Sequence, residues 1–290
     1  MGRSRGGRKG VRAYRRTGKA GRTGAPTHRG AGARAAPDEA PRVLVERRGG
    51  IATLTLNRPE KRNALDRRAV AELKAALIAC DLAADVRVVV LRGAGKDFCA
   101  GGDLAEMLAS VRAPAEENER HALELGELLL ALRALPKPAV AVVQGRALAG
   151  GAGLALACDL VVARADAELG FPEILRGFVP GMVLAPLRRA VGEKTAFELA
   201  ATGRSLNAKE AERLGLVSRV LPARGFEAAV ARLLAPLAAL SPSALALLKQ
   251  EFYRLDGLGF EEGVRLGARV NAVARATPDF ARAVAAFLKK

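Results

Sequence analysis

Two glycine-rich segments of the 290-residue chain have the residue types and spacing to stabilise a negative charge. The segment 145–159, GRALAGGAGLALACD, follows the β-branched run 139–143, and the segment 98–106, FCAGGDLAE, follows the apolar run 86–91. In each segment a glycine pair lies between a predicted strand and a predicted helix, where a ligand can approach the backbone. The first amides of a helix lack internal acceptors and lie at the positive end of its dipole. Two such amides that converge would form an oxyanion site.

Each glycine pair also has a simpler explanation. Small residues at 150–151 would only allow close packing of the helix predicted over 154–158. In the other segment, Asp103 would cap a helix after a turn at 101–102, and Glu106 would complete a capping box. Because two strand–glycine–helix junctions occur in one chain, the chemical interpretation is favoured over two unrelated turns.

Hydrophobic periodicity predicts the elements that must position these segments. Order is expected to begin near Pro41, with strands over 43–46 and 51–56 joined as a hairpin at Gly49-Gly50. A helix is predicted over 66–81 with Asp66 as its N-cap. Buried strands are predicted over 86–91 and 139–143. Beyond Gly192 the helical pattern covers 194–201, 208–214, 226–240, 242–253, 260–276 and 279–288.

The net charge of +17 is unevenly distributed along the chain. Residues 1–40 hold 11 Lys or Arg and 2 Asp or Glu, a net charge of +9, and the remaining 250 residues carry +8. The tail has almost no large apolar residues, so we expect it to be disordered. It suits a nucleic-acid or acidic-surface arm, an organelle-targeting segment, or an upstream extension of the reading frame with no role in the mature protein.

Composition also argues against several protein classes. No apolar run approaches the roughly 18 residues needed to cross a bilayer, which predicts a soluble, cytoplasmic protein without a membrane partner. Organelle targeting by residues 1–40 stays open. Three widely spaced cysteines argue against a disulfide framework or a zinc site. Only two histidines, His28 and His121, are present, which disfavours a histidine triad or any metal site.

Several motifs together resemble the enoyl-CoA hydratase/isomerase, or crotonase, family. The resemblance covers about residues 43–290, with the motifs in the order and spacing that the family shows. The motifs are LNRPEKRNALD (56–66), FCAGGDL (98–104), PKPAVAVVQGRALAGGAGLALACD (136–159), FPEILRGFVP (171–180) and TGRSLNAKEAERLGLVSRVLP (202–222). The match is specific for the family and much less so for the reaction.

The resemblance implies an α/β fold, a crotonase-like spiral of ββα units with a C-terminal helical region. It divides the chain into the basic tail 1–41, a spiral core 42–205 with the active site, and a helical region 206–290 that mediates oligomerisation and covers the pocket. Family members are usually homotrimers or dimers of trimers. They act on an acyl-CoA thioester and need no cofactor, because CoA is part of the substrate.

The resemblance also implies the site residues. The amides of Gly102 and Gly150 would form an oxyanion hole around the thioester carbonyl, which becomes negative when an α-proton is removed or a nucleophile adds at the β-carbon. Each fixed donor would lower the barrier by about 3–4 kcal/mol. The residues that match positions lining the CoA groove are Arg62, Ala64, Ala100, Asp103 and Leu104.

Proton transfer distinguishes this chain from the hydratase pattern. Hydratases of the family typically carry two glutamates, and here the first position is Gly153 while the second is Glu173. A single carboxylate can move a proton between two carbons, which favours double-bond isomerisation slightly over hydration. Alone, Glu173 after Pro172 would also suit the first turn of a helix. Arg176 would either pair with it or face solvent.

Other reactions and roles remain open. The alternatives are a hydratase or hydratase-lyase that uses only Glu173, and a catalytically silent CoA-binding relative with a nucleic-acid-binding basic tail. The run 180–186, PGMVLAP, predicts an acyl pocket that is more apolar than usual. Gly181 stands where halide-displacing relatives carry an aspartate nucleophile, which disfavours that chemistry. Arg146 replaces a commonly apolar residue, without an explanation from the sequence.

Overall fold

The first described element is the predicted hairpin. The computed structural model describes residues 40–289, so the tail predicted over 1–41 lies almost wholly outside the described residues. Strand β1, Val43–Arg48, pairs antiparallel with β2, Ile51–Leu56. The turn glycines 49–50 both have positive φ, which glycine adopts without strain. The hairpin prediction is confirmed, and β1 is two residues longer than expected.

Most of the remaining strands pair in parallel. They are β3 (Val88–Gly93), β4 (Ala139–Val143), β5 (Arg146–Leu148), β6 (Leu160–Arg164), β7 (Glu168–Gly170), β8 (Ser205–Asn207) and β9 (Arg219–Leu221). A six-stranded sheet has the order β1-β2-β3-β4-β6-β9, and every pair after β1–β2 is parallel. A three-stranded sheet has the order β5-β7-β8. Since parallel strands end at one edge, the segments that follow β3 and β4 start side by side.

Helices cover the sheets and form the C-terminal region. In chain order they are α1 (Arg67–Leu82), α2 (Leu104–Ala109), α3 (Ala115–Ala134), α4 (Gly150–Ala157), α5 (Leu184–Val191), α6 (Glu193–Thr202), α7 (Ala208–Leu214), α8 (Phe226–Ala239), α9 (Pro242–Arg254), α10 (Phe260–Arg275) and α11 (Pro278–Leu288). The six helices predicted beyond Gly192 are confirmed to within one residue at each end. Among residues 40–289 no single helix is long and apolar enough to span a membrane; α8 and α9, bent by 98°, pass on length and composition only as a pair.

The central strands are buried on both faces, as expected for a parallel sheet. Val89 and Leu91 of β3 belong to the larger hydrophobic cluster, which includes residues of α1, α3 and α4. Val88 and Val90 belong to a second cluster with residues of α8. Successive side chains of β3 therefore alternate between two cores, and Arg92 continues on the α8 face.

The start of α4 differs from the prediction. The sequence pattern predicts a helix over 154–158, whereas α4 begins at Gly150 and the unpredicted strand β5 precedes it. Glycine has low helix propensity, so tertiary packing rather than propensity forms this first turn. A Cβ atom added at Gly151 would lie 2.4 Å from the carbonyl oxygen of Cys99. Only glycine therefore permits the close approach of this helix to the neighbouring loop.

One of the predicted helix caps is also different. Asp66 caps α1 by accepting from the amide of Ala69 at 2.7 Å, as predicted. Asp103 caps α2 by accepting from the amide of Ala105 at 2.9 Å. Glu106 does not complete a capping box there, because its carboxylate accepts from the amide of Arg67 at 3.0 Å. The capping-box prediction is wrong in this detail, and Glu106 instead connects α2 to the start of α1.

Candidate active site

The two glycine-rich segments meet at the carboxyl edge of the large sheet. Cys99 forms a parallel bridge with Ala147, which aligns the loop after β3 with β5. A Cβ atom added at Gly150 would lie 3.7 Å from the amide nitrogen of Gly102. A Cβ atom added at Gly101 would lie 3.3 Å from the amide nitrogen of Gly150. The two amides predicted to act together are therefore neighbours, although 48 positions separate them in the chain.

The backbone around Gly102 turns its amide away from the adjacent strand segment. Leu65 donates its N–H to the carbonyl of Gly101 at 2.8 Å and accepts from the amide of Asp103 at 2.9 Å. Leu65 and Gly102 thus form a parallel bridge, in which Gly101 and Asp103 make the hydrogen bonds to Leu65. The N–H of Gly102, between them, points away from Leu65. Gly150 is the first residue of α4, so its amide has no helical acceptor. Among the described residues, neither amide donates to a protein acceptor.

Ala149 holds the start of α4 in a strained conformation. Its φ of 52° and ψ of −127° lie in a region that strongly favours glycine. Its N–H donates to the carbonyl of Gly170 at 2.9 Å, which continues the pairing of β5 with β7. Because Gly170 ends β7, this bond fixes the turn that follows β7 beside the first residue of α4.

Glu173 lies in that turn, a 3-10 turn over Pro172–Arg176. Its side chain is buried, and within residues 40–289 its Oε2 atom has no hydrogen-bond partner. Burial raises the pKa of the Glu173 carboxyl above its ordinary value, and the hydrogen bond from its own backbone N–H and the charge of Arg176 oppose this only in part. The guanidinium of Arg176 is exposed and donates to the carbonyl of Pro172 at 3.2 Å. Arg176 therefore forms no direct ion pair with Glu173.

The position of the first family glutamate is closed by packing. A Cβ atom added at Gly153 would lie 2.7 Å from Cγ2 of Val183, which real Cβ contacts essentially never show. Val183 is buried, and the neighbouring Met182 lies 3.5 Å from where a Cβ of Gly126 would be. Apolar side chains thus occupy the volume beside this turn of α4, and the apolar acyl pocket expected from the run 180–186 stays a prediction.

The residues predicted to line the CoA groove belong to two segments that run alongside each other. Ala100 donates its N–H to the carbonyl of Arg62 at 3.0 Å, and the bonds of Leu65 described above continue this pairing. Arg62 and Leu104 are exposed, whereas Ala64, Ala100 and Asp103 are half-buried. All five predicted groove residues are therefore brought together at one edge of the glycine loop.

Asp103 has a structural role that the sequence did not reveal. The Arg58 guanidinium contacts the Asp103 carboxylate at 3.0 Å and the Asp66 carboxylate at 3.3 Å. Burial raises the pKa of Asp103, but hydrogen bonds led by that from Arg58 outweigh it and hold the pKa below its usual range. Arg58 therefore links the caps of α1 and α2, so that Asp103 is a charged anchor beside Gly102.

Asn63 is a second residue that sequence reasoning missed. It is buried and adopts a φ of 56°. Its side-chain amide donates to the carbonyls of Ala94 and Asp97, and its oxygen accepts from the amide of Arg58. These three bonds fix the turn after β2 against the loop after β3. Asparagine tolerates positive φ, but no local pattern reveals partners more than thirty residues away.

The model of the enoyl-CoA hydratase/isomerase family matches residues 46–290. A Thermus thermophilus protein provisionally named enoyl-CoA hydratase is 47% identical over 251 residues, which cover 86% of this chain and 98% of that protein. The 2,3-dehydroadipyl-CoA hydratase of Escherichia coli is 34% identical and is covered to 96%.

Solved structures agree with the observed fold. The crystal structure of an enoyl-CoA hydratase from Mycobacterium smegmatis superposes with a TM-score of 0.83 at 35% identity, over 86% of this chain and 97% of that one. The predicted α/β crotonase-like fold with its C-terminal helical region is confirmed by this likeness. Together with the family match, it shows that this chain is an acyl-CoA enzyme belonging to the enoyl-CoA hydratase/isomerase family.

Proposed function

We propose that the protein catalyses enolate-type chemistry on an enoyl-CoA thioester, with isomerisation of the double bond as its main reaction. The observation that carries the proposal is the pair of neighbouring, unpaired amides at Gly102 and Gly150. Both would donate to the thioester oxygen, which gains negative charge when a proton leaves the α-carbon. Because the amides are fixed before reaction, they would stabilise the enolate more than the ground state.

In this proposal Glu173 is the proton shuttle. A buried carboxylate with a raised pKa is a stronger base than an exposed one, and it can return the same proton to a different carbon. Isomerisation from a 3-enoyl to a 2-enoyl thioester needs only this one group. Hydration is helped by a second carboxylate that orients water, and Val183 fills the space where such a group would extend from residue 153.

Hydration by Glu173 alone is the second candidate function. The names of the relatives support it, since the proteins from Thermus thermophilus and Escherichia coli are both named as hydratases. The two reactions differ in the mass of their products, because hydration adds one water and isomerisation adds none.

A product analysis distinguishes the two candidates. Purified protein is incubated separately with a 3-enoyl-CoA and a 2-enoyl-CoA in ¹⁸O-labelled water. The products are separated by liquid chromatography, because the isomers have equal mass, and are then identified by mass spectrometry. We expect the 3-enoyl-CoA to give an isomer of unchanged mass faster than either substrate gains labelled water. Faster label uptake from the 2-enoyl-CoA would instead establish the hydratase. The variant Glu173→Gln tests whether either reaction depends on this carboxyl. Arg176→Gln is its matched control, because it changes an exposed residue of the same turn.

We also propose that CoA binds along the paired segments that contain Arg62, Ala64, Ala100, Asp103 and Leu104. The exposed guanidinium of Arg62 suits a CoA phosphate. Replacing it with glutamate would raise KM for acyl-CoA with little change in kcat.

A homotrimer or a dimer of trimers is the proposed assembly, supported by the exposed aromatic rings of Phe252, Phe260 and Phe287 on the C-terminal helices. Light scattering during size-exclusion chromatography tests it.

A further inference from the structure

A bidentate ion pair lies at the base of both amide-bearing segments. Arg146 donates to the Asp97 carboxylate through its backbone N–H at 3.1 Å, through Nε at 3.0 Å and through Nη2 at 3.2 Å. The Asp97 side chain is only 5% exposed, whereas that of Arg146 is 31% exposed. Burial raises the pKa of Asp97, but the hydrogen bonds from Arg146 outweigh it and keep the carboxyl ionised.

Backbone contacts of Arg146 and of the neighbouring Gly145 extend this connection. The carbonyl of Arg146 accepts from the amides of Phe98 and Cys99 at 3.0 and 3.1 Å. Gly145 packs so closely that an added Cβ atom would lie 2.2 Å from the carbonyl of Lys96. Arg146 therefore holds the loop after β3 through both its side chain and its main chain.

The pair is close in sequence to both proposed oxyanion donors. Asp97 precedes Gly102 by five residues, and Arg146 precedes Gly150 by four. Any slip between the two segments would therefore move one amide relative to the other. A rigid guanidinium fork that grips both oxygens of a buried carboxylate permits one alignment of the segments, whereas a point charge permits several.

We propose that Arg146, clamped to Asp97, is the positioning residue that sets the separation of the Gly102 and Gly150 amides. This inference rests on the proposed oxyanion hole. It also gives a role to the arginine that the sequence left unexplained. The paired charges favour one specific arrangement of the two segments, but removing only Arg146 leaves the buried Asp97 carboxylate without its partner. Loss of the clamp should therefore lower stability as well as the rate, so the rates are compared only among variants shown to be folded.

The variants for the test are Arg146→Lys and Arg146→Ala. Arg146→Lys keeps the charge without the fork and is the variant to use if Arg146→Ala does not fold. Arg92→Ala is the control for loss of a bidentate arginine pair, because Arg92 pairs with Glu227 and its side chain is 26% exposed. The acid differs, since Glu227 is 68% exposed and Asp97 is 5% exposed, so stability is compared separately from the rate. That control pair joins β3 to α8 on the other face of the sheet. Circular dichroism and thermal melts establish that each variant is folded.

Two readouts separate positioning from stability. The first is kcat and KM for the 3-enoyl-CoA; we expect kcat to fall about 10- to 100-fold in both Arg146 variants with KM nearly unchanged. Added guanidinium ion should restore part of kcat in Arg146→Ala and none in Arg146→Lys. The second is difference infrared spectroscopy of bound butyryl-CoA labelled with ¹³C at its carbonyl. This saturated thioester reports carbonyl polarisation without turnover.

The infrared measurement distinguishes failure of this inference from failure of the proposed function. We expect the carbonyl stretch to shift to lower frequency in the wild type and in Arg92→Ala, and to lose most of that shift in the Arg146 variants. An equal shift and equal kcat in the wild type and the Arg146 variants would overturn the positioning role and leave the oxyanion hole intact. No shift in the wild type would overturn the oxyanion hole and the positioning role together.

Discussion

The two halves of the candidate site are built differently. The amides of Gly102 and Gly150 are placed by main-chain hydrogen bonds between paired segments. The other half depends on side chains, namely the buried carboxyl of Glu173 and the contact that Val183 would make with any side chain at residue 153. The first half rests mainly on backbone pairing, with the proposed Arg146–Asp97 clamp holding its alignment, and the second half rests on the burial and volume of a few side chains.

This difference suggests how one fold can support several reactions. Binding and polarising a thioester carbonyl needs the paired segments to keep their alignment, and many side chains other than the proposed Arg146–Asp97 clamp are compatible with that. The fate of the enolate depends on which acids and which volumes face it. In this chain one carboxyl is buried and the second position is filled by Val183, so the proton-transfer half determines the proposed reaction.

The largest expected effect comes from removing the carboxyl. Glu173→Gln keeps the size of the side chain but cannot accept a proton, so kcat for a 3-enoyl-CoA should fall about 100- to 10,000-fold. Spectrophotometric assay of the conjugated product measures this. Arg176→Gln should retain close to full activity. A Glu173→Gln enzyme that works at the wild-type rate would remove Glu173 from the mechanism.

A single added methyl group should disrupt the proposed oxyanion hole formed by the amides of Gly102 and Gly150. In Gly150→Ala the new Cβ would lie 3.7 Å from the amide nitrogen of Gly102 and 3.0 Å from Cδ2 of Leu125, which would crowd the proposed oxyanion position. We expect kcat to fall about 100- to 1,000-fold, as when one donor is lost. In Gly102→Ala the nearest atom to the new Cβ is Sδ of Met107 at 3.5 Å, an ordinary contact. Equal rates for the two variants would contradict the proposed geometry.

The packing of Val183 against residue 153 should have a smaller effect, on the free energy of unfolding. Gly153→Ala should lower the free energy of unfolding by about 1–3 kcal/mol, because the methyl group overlaps Val183. Thermal unfolding measures the loss, and Val183→Ala in the same chain should recover part of it. Gly181→Ala is the control, since no atom lies within 4 Å of its added Cβ. Full stability of Gly153→Ala would show that Val183 does not close this position.

The pH dependence of activity and of stability tests the ionisation of Glu173, and we expect this effect to be the smallest. As a base, Glu173 must be ionised, so kcat/KM should fall as the pH drops through its raised pKa, above the ordinary value of 4.5. Since the folded protein binds this proton more tightly than the unfolded chain, the contribution of Glu173 to stability should decrease as the pH rises from 4.5 through that pKa. Glu173→Gln lacks this loss and should melt at a higher Tm than the wild type at neutral pH. A lower Tm for the variant would contradict the burial cost.

Local patterns were sufficient for much of the fold. The hairpin turn at Gly49-Gly50, the cap at Asp66 and the C-terminal helices each depend on residues close in sequence, and their prediction is confirmed. The start of α4 was misjudged, because its first turn forms against Cys99 rather than from helix propensity. The spiral arrangement came from the family resemblance.

The side-chain pairs around the site could not be predicted in the same way. Asp97 and Arg146 are 49 positions apart, and Glu106 reaches the amide of Arg67 across 39. Periodicity and capping rules treat windows of a few residues, so a charge whose partner lies that far away cannot be told from a solvated one. The contact between Gly153 and Val183 is also tertiary, and only the folded structure reveals it.

The sulfur of Cys99 provides an intrinsic probe of how often the amide loop opens. Its Sγ accepts from the N–H of Gly101 at 3.5 Å, and burial raises the pKa of the thiol to about 12. Alkylating reagents react with an accessible thiolate, so modification of Cys99 requires the loop to separate from β5. Peptide mapping distinguishes it from the buried Cys80 and Cys158. Its labelling rate, compared with and without acyl-CoA, would convert loop opening into a free energy without an engineered label.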